Sequence, residues 1–195
     1  MENTVYFLPN SDARQSQIYF YIPMGDYNRE ENVRREAFNQ YISGGFSGLI
    51  MNEIREKNSM AYTAYGFASS CGLPGAQTYF SGYIGTQNDK AVDAIDLYMK
   101  LLTDMPERPG RIDNIKSYLR QSALTDHPDS RNLSLRIAEW KRRGYTDDPA
   151  KKELPLIDSL TFPDIVDYYQ KNIKGKPIII GVLGNPKAVS YTHLR

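Results

Sequence analysis

The chain has 195 residues, 41% of them hydrophobic and 24% charged, an ordinary globular composition with enough apolar material for a sizeable core. A formal net charge of +1 supplies no basic excess for a nucleic-acid or acidic-membrane surface, and a single cysteine, Cys71, excludes an intrachain disulfide framework. No apolar run approaches the roughly 18 to 20 residues of a membrane span, and the first ten residues lack the basic start and apolar core of an export signal, so a soluble chain without a leader is expected.

Residues 5–7 and 17–22 are rich in β-branched and aromatic side chains, and Pro9-Asn10-Ser11-Asp12 between them is turn chemistry, which predicts two neighbouring strands. Val33, Ala37, Phe38 and Tyr41 recur at helical spacing over residues 30–42, and Ser43-Gly44-Gly45 supplies the glycine stop. A second, short helix is predicted over residues 47–56 with Leu49, Ile50 and Ile54 on its buried side. The apolar period then falls from about 3.6 to 2. Residues 60–69 and 77–85 alternate as strands, joined by Gly72-Leu73-Pro74-Gly75 as a hairpin loop.

Asn88-Asp89 reads as the cap of a helix that carries Ala91, Ile95, Tyr98, Met99 and Leu102 and stops before Pro106 and Pro109. Further helices are predicted over residues 113–125 and 132–143, parted at His127-Pro128 and stopped near Gly144. After a shorter apolar stretch over residues 154–160, Thr161-Phe162-Pro163-Asp164 combines a threonine cap, an early proline and an acid three residues on. That helix carries Ile165, Val166, Tyr168 and Tyr169 and ends by Gly175, and the continuously apolar residues 177–183 predict a strand covered on both faces. Strands, two helices, strands, a run of helices and a last strand make an α+β fold, a mostly antiparallel sheet with helices packed on one face, in preference to a doubly wound one. Residues 1–187 are read as one domain and residues 188–195 as a non-native tail.

Most candidate chemistry is eliminated by its surroundings. His127 and His193 are far apart, and neither has a histidine or glutamate at helical ligand spacing, so the chain by itself is not expected to hold a catalytic zinc. Cys71 has no CxxC partner and reads as a buried or incidental thiol. Gly44-Gly45-Phe46-Ser47-Gly48 lacks the Lys-Ser or Lys-Thr of a phosphate loop and is taken as helix punctuation. The basic Lys141-Arg142-Arg143, with Lys151 and Lys152, is interleaved with Glu139, Asp147, Asp148 and Glu153, as a solvated helix end would be.

Arg55 and Tyr62 remain. Each has an ordinary structural reading: a cation near a helix C-terminus is favoured by about 0.3–1 kcal/mol, and an aromatic residue early in a strand is common. Their neighbourhood adds something. Ala64, Gly66 and Ala68 share a strand face with Tyr62, while Tyr65 and Phe67 point the other way. An extended peptide laid on that shallow face would meet a phenol and a guanidinium as donors, which makes Ala64, Gly66 and Ala68 candidate substrate-binding positions.

Arg14-Gln15-Ser16-Gln17, Ser43-Gly44-Gly45-Phe46-Ser47-Gly48-Leu49, Ile54-Arg55-Glu56-Lys57 with Ala61-Tyr62, Thr161-Phe162-Pro163-Asp164-Ile165-Val166 and Gly181-Val182-Leu183-Gly184-Asn185-Pro186 together resemble the C-terminal half of a pitrilysin/insulinase-type zinc metallopeptidase, over nearly the whole chain. The resemblance implies a duplicated α+β domain forming a clamshell, in which one half binds zinc through two histidines and a glutamate and the other supplies an arginine and, seven residues on, a tyrosine. Arg55 and Tyr62 have that spacing. It further implies that this chain is the half without metal, that its partners are a zinc-binding half, fused or separate, and a peptide substrate, and that Tyr62 and Arg55 act on the oxyanion and on the peptide. A non-catalytic scaffold of the same fold is the alternative. Two histidines and a glutamate in the inverted zinc arrangement, in sequence upstream or in a neighbouring gene, would favour the peptidase.

Overall fold

The structure, a computed structural model, describes residues 3–126 and 129–187. The expected break at His127-Pro128, His193 and the expected tail at 188–195 lie outside the described residues. The strands are β1 (Thr4–Pro9), β2 (Gln15–Asp26), β3 (Thr63–Ser69), β4 (Gln77–Gln87) and β5 (Ile179–Gly184), and the helices α1 (Asn32–Ser43), α2 (Ala91–Thr103), α3 (Ile112–Thr125), α4 (Leu133–Arg142), α5 (Ala150–Ser159) and α6 (Phe162–Asn172). The strands form one sheet in the order β1-β5-β2-β4-β3, parallel between β1 and β5 and antiparallel elsewhere.

Alternation along the strands decides which face is buried. On β2, Ser16, Ile18, Phe20, Ile22 and Met24 point inward, and β4 does the same with Thr78, Phe80, Gly82, Ile84 and Thr86. Helix α1 packs on β3, and α2 packs on β2 and β4. Helix α6 joins α1, where Phe38 meets Tyr168 with ring centroids 5.4 Å apart. α3 and α5 make an outer layer on α1, and α4 buries none of its side chains. The opposite face of the sheet is lined by rings in contact: Tyr19 on Tyr83 at 5.1 Å, Tyr65 on Tyr83 at 5.3 Å, Tyr65 on Phe67 at 5.5 Å and Tyr21 on Tyr79 at 5.5 Å.

Several local expectations change. β1 and β2 are not neighbours, because β5 lies between them. Its Ile180 and Val182 are buried and suit an interior position, whereas β1, with Val5, Tyr6 and Leu8 exposed and Pro9 at its end, suits an edge. β5 is also not covered on both faces: Ile179, Gly181 and Leu183 stay half-buried on the aromatic side. Asn88 does not cap α2. Its amide nitrogen donates to the Ala13 carbonyl at 2.8 Å and its oxygen accepts from Ser16 Oγ at 2.8 Å, which ties the start of β2 to the end of β4. α5 is longer than the apolar stretch foretold and contains Pro155. The capping box at α6 is present, with Thr161 N–H donating to Asp164 Oδ2 at 2.9 Å. The basic stretch is solvated and paired, Arg143 with Glu139 and Lys151 with Asp147.

Candidate functional site

The segment that carries Arg55 begins where α1 stops. Gly45 is left-handed at φ 59°, the conformation that ends a helix most cheaply in glycine. At Gly48 a Cβ would meet the Ser43 backbone at 2.7 Å, so only glycine lets the chain turn back so closely. Beyond it Leu49, Ile50 and Ile54 are fully buried and anchor the next helical segment, whose later part, Met51–Lys57, winds with the wide turns of a π-helix. Such turns are rare and frequent at functional sites.

The segment is held from beneath by two arginines. Arg108, from the loop after α2, pairs with Glu53 and donates to Asn52 Oδ1 at 3.3 Å. Arg111 donates to the carbonyl of Ser47 and lies 5.6 Å from the Tyr41 ring centre. Burial, then the like charge of Arg108, lowers the Arg111 pKa, and burial raises that of the Tyr41 phenol.

Arg55 sits near the end of the π turns with its side chain 44% exposed, 3.6 Å from Glu56 Oε1. An ion pair that exposed contributes little. The carbonyl of Arg55 accepts from the Ser59 amide at 3.0 Å, Met60 N–H reaches back to the Ile54 carbonyl at 2.9 Å, and Ser59 between them has φ 50°, a left-handed residue that is not glycine. The end of β4 then grips the chain. Thr86, itself fully buried, donates its hydroxyl to the Met60 carbonyl, Lys90 reaches the Ser59 carbonyl at 3.3 Å, and the Tyr62 amide donates to the Gly85 carbonyl at 2.9 Å. Tyr62 is 54% exposed, and its hydroxyl oxygen accepts from Gln87 Nε2 at 3.1 Å. Arg55 and Tyr62 therefore stand on either side of one tight turn.

The shallow strip expected beside Tyr62 is not there. Ala64 and Ala68 are each only 1% exposed and Gly66 is buried. They face the helices, and a methyl on Gly66 would overlap the Tyr98 hydroxyl and the Phe80 ring. These residues are small because α1 and α2 lie against them, so they are withdrawn as substrate-binding positions. The outer edge of β3 is occupied as well: the Ala68 amide donates to Asn39 Oδ1 at 2.8 Å, the Ala68 carbonyl accepts from Asn39 Nδ2 at 3.1 Å, and the Gly66 amide donates to Ser43 Oγ at 2.8 Å. A cleft of about 890 Å³ between α1 and α3 is lined by Glu36, Gln40, Arg111 and Tyr118, away from Arg55 and Tyr62. Cys71 is exposed. Among the described residues, no group of three or more His, Cys, Asp or Glu is placed to hold a metal ion, and no helix is long and apolar enough to cross a membrane.

Residues 2–110, more than half of the chain and all of the segment just described, match the family model of the peptidase M16 inactive domain. The chain belongs to that family. An uncharacterized zinc protease of Streptomyces coelicolor is 26% identical over 168 residues, which are 81% of this chain and 34% of that protein. Among solved structures, a peptidase M16 inactive domain from Pseudomonas fluorescens superposes with a TM-score of 0.74 at 16% identity, over 97% of this chain and 45% of the other. A protease from Helicobacter pylori gives 0.72 at 12% identity, over 92% and 44%. At these identities the superpositions speak for the fold, a pitrilysin/insulinase-like domain. The M16 inactive domain here thus spans less than half of each relative's length.

The glycine punctuation and the Arg55–Tyr62 spacing were legible before the fold was known. The clamp of Thr86, Gln87 and Lys90 was not, because it joins residues about 25 to 30 positions apart whose types are unremarkable at a strand end. Arg108 and Glu53 were missed likewise, although an arginine set between Pro106 and Pro109 is a usable signal for a fixed loop cation.

Proposed function

We propose that this inactive domain is the substrate-binding half of a zinc-dependent endopeptidase, with Tyr62 donating a hydrogen bond to the developing oxyanion of the scissile carbonyl and Arg55 holding a neighbouring peptide carbonyl. The observation that carries the proposal is the turn between them. Two exposed donors flank a strained, left-handed Ser59 whose turn is held by the Gly85 carbonyl and Thr86 hydroxyl of β4 and by Lys90 just beyond that strand. Strain held in place at an exposed turn is a reason to look for function. A donor fixed before the reaction needs no reorganisation as charge develops, and a guanidinium's planar fork suits a carbonyl-lined peptide better than an ammonium does.

The described residues do not fit the zinc that the family resemblance implies, since they offer no ligand cluster. In this proposal the metal is held by another half, fused or separate, and the part played here is limited to binding, orienting and hydrogen bonding. Removing one oxyanion donor typically costs on the order of 10² to 10³ in turnover. Tyr62→Phe in the assembly with the zinc half is therefore expected to lower kcat at least about tenfold on an internally quenched peptide. Unchanged turnover in correctly folded protein refutes the role of Tyr62. The chain alone, freed of partner, should show no chelator-sensitive cleavage.

A further inference from the structure

We infer that Gln87 is a positioning residue for Tyr62: its side-chain amide donates into the phenolic oxygen and so leaves the phenolic proton for an acceptor outside the chain. The inference rests on Tyr62 being an oxyanion donor and adds what sets the direction of its donation.

Gln87 is the last residue of β4, and it follows two others that grip the same turn. The Gly85 carbonyl takes the Tyr62 amide at 2.9 Å, and the Thr86 hydroxyl reaches the Met60 carbonyl. With the backbone of Tyr62 fixed in this way, Gln87 Nε2 lies 3.1 Å from the phenolic oxygen. An amide nitrogen has protons to give and no lone pair to accept with, whereas a phenol has one proton and acceptor lone pairs. The bond therefore uses an acceptor site of Tyr62 and spares its proton. Accepting one hydrogen bond also polarises the phenol and makes it a better donor. Tyr62 is 54% exposed, so its free proton faces space where a carbonyl oxygen can enter.

The sheet holds its own counter-example. At Tyr19 the same two residue types meet in the reverse sense, the hydroxyl donating to Gln17 Oε1 at 3.3 Å, and there the phenolic proton is consumed within the chain.

The test uses the chain assembled with its zinc half and an internally quenched peptide. Glutamate has the shape of glutamine but, ionised, can only accept, so Gln87→Glu captures the Tyr62 proton. The expected result is a kcat at least about tenfold lower with little change in KM, approaching the loss in Tyr62→Phe. Gln87→Leu leaves the proton free and loses much less. Added to Tyr62→Phe, Gln87→Glu has no further effect, since both act through one hydroxyl. Gln77→Glu, which places the same charge at the opposite end of β4, leaves turnover unchanged. Equal losses in the glutamate and leucine variants, or a glutamate effect that persists in full without the Tyr62 hydroxyl, overturn the inference while leaving Tyr62's own role intact. If Tyr62→Phe is itself silent, that role fails first and the one assigned to Gln87 fails with it. Gln87 ends an exposed strand terminus, and unchanged thermal melting of each variant verifies that the fold is retained.

Discussion

On one face of β3, Ala64, Gly66 and Ala68 lie against helices and are almost wholly excluded from water, while on the other Tyr65 and Phe67 are 39% and 41% exposed. In sequence this contrast of small against large looks like an open groove beside a bulky wall. In three dimensions it is the reverse: the small residues mark where other groups come closest, and the large ones stand on the face more open to water, where the rings touch one another. The ring of Tyr98 from α2 explains why. It stacks on Phe20 at 4.1 Å, its hydroxyl donates to the Tyr65 carbonyl at 2.9 Å, and it occupies the space that side chains at Gly66 and Gly82 would need. Burial drives the Tyr98 pKa well above that of an ordinary phenol, so the group stays a neutral donor.

The harshest way to break this contrast is to add one methyl on the buried side. Gly82→Ala places a Cβ on the Tyr98 hydroxyl. Overpacking of a dense core costs about 1–3 kcal/mol, and this site belongs at the upper end because the obstacle is a hydrogen-bonded ring with no free rotamer. Denaturant titration should show the loss, and it should shrink in a Tyr98→Phe background, where the nearest atom is gone. A stability change within about 0.5 kcal/mol, the range of surface substitutions, would mean that the ring does not sit there.

A smaller effect is expected at the edge of the same strand. Asn39 supplies β3 with both a donor and an acceptor at Ala68, imitating the neighbouring strand that an edge lacks. Asn39→Ala leaves the Ala68 amide to water while Arg35 Nη1, 3.2 Å away, still donates to the Ala68 carbonyl, so the loss is about 0.5–1.5 kcal/mol, the usual worth of one such bond. Hydrogen exchange gives the sharper measurement: the Ala68 amide should lose protection while that of Gly66 on the same edge, held by Ser43 Oγ, keeps it. Equal protection of Ala68 before and after would show that something other than Asn39 closes the edge.

What the sequence made legible follows from how local each feature is. Periodicity located β2, β3 and β4 and the helices α1 and α6 because each buries one face along a continuous stretch, and the Thr161–Asp164 box announced its helix because its partners are three residues apart. The insertion of β5 between β1 and β2 was invisible, since it joins residues such as Val5 and Ile180 from opposite ends of the chain. The site divides in the same way. Gly45, Gly48, Arg55 and Tyr62 belong to one short stretch and could be singled out, whereas the reason for Gly66 depended on Tyr98, a residue about 30 positions away that periodicity could assign to a helix face but not to a partner.

The gentlest test is on the aromatic face. Phe67 stacks on Tyr65, two residues back on the same face of β3, with centroids 5.5 Å apart and already gives 41% of its surface to water, so Phe67→Ser removes one ring contact and only part of the area that a core ring would lose. Fully burying a large apolar side chain contributes about 1.5–3 kcal/mol, so for a ring only partly buried the loss in the free chain should be about 1 kcal/mol. Because Gly82 on β4 pairs with Gly66, the neighbour of Phe67 on β3, the two substitutions probe opposite faces of one sheet under one set of conditions. If Phe67→Ser were as damaging as Gly82→Ala, the aromatic face would have to be packed against something in solution, and the contrast between the faces of β3 would disappear. A melting temperature close to that of the parent chain, beside a deeply lowered one for Gly82→Ala, keeps it.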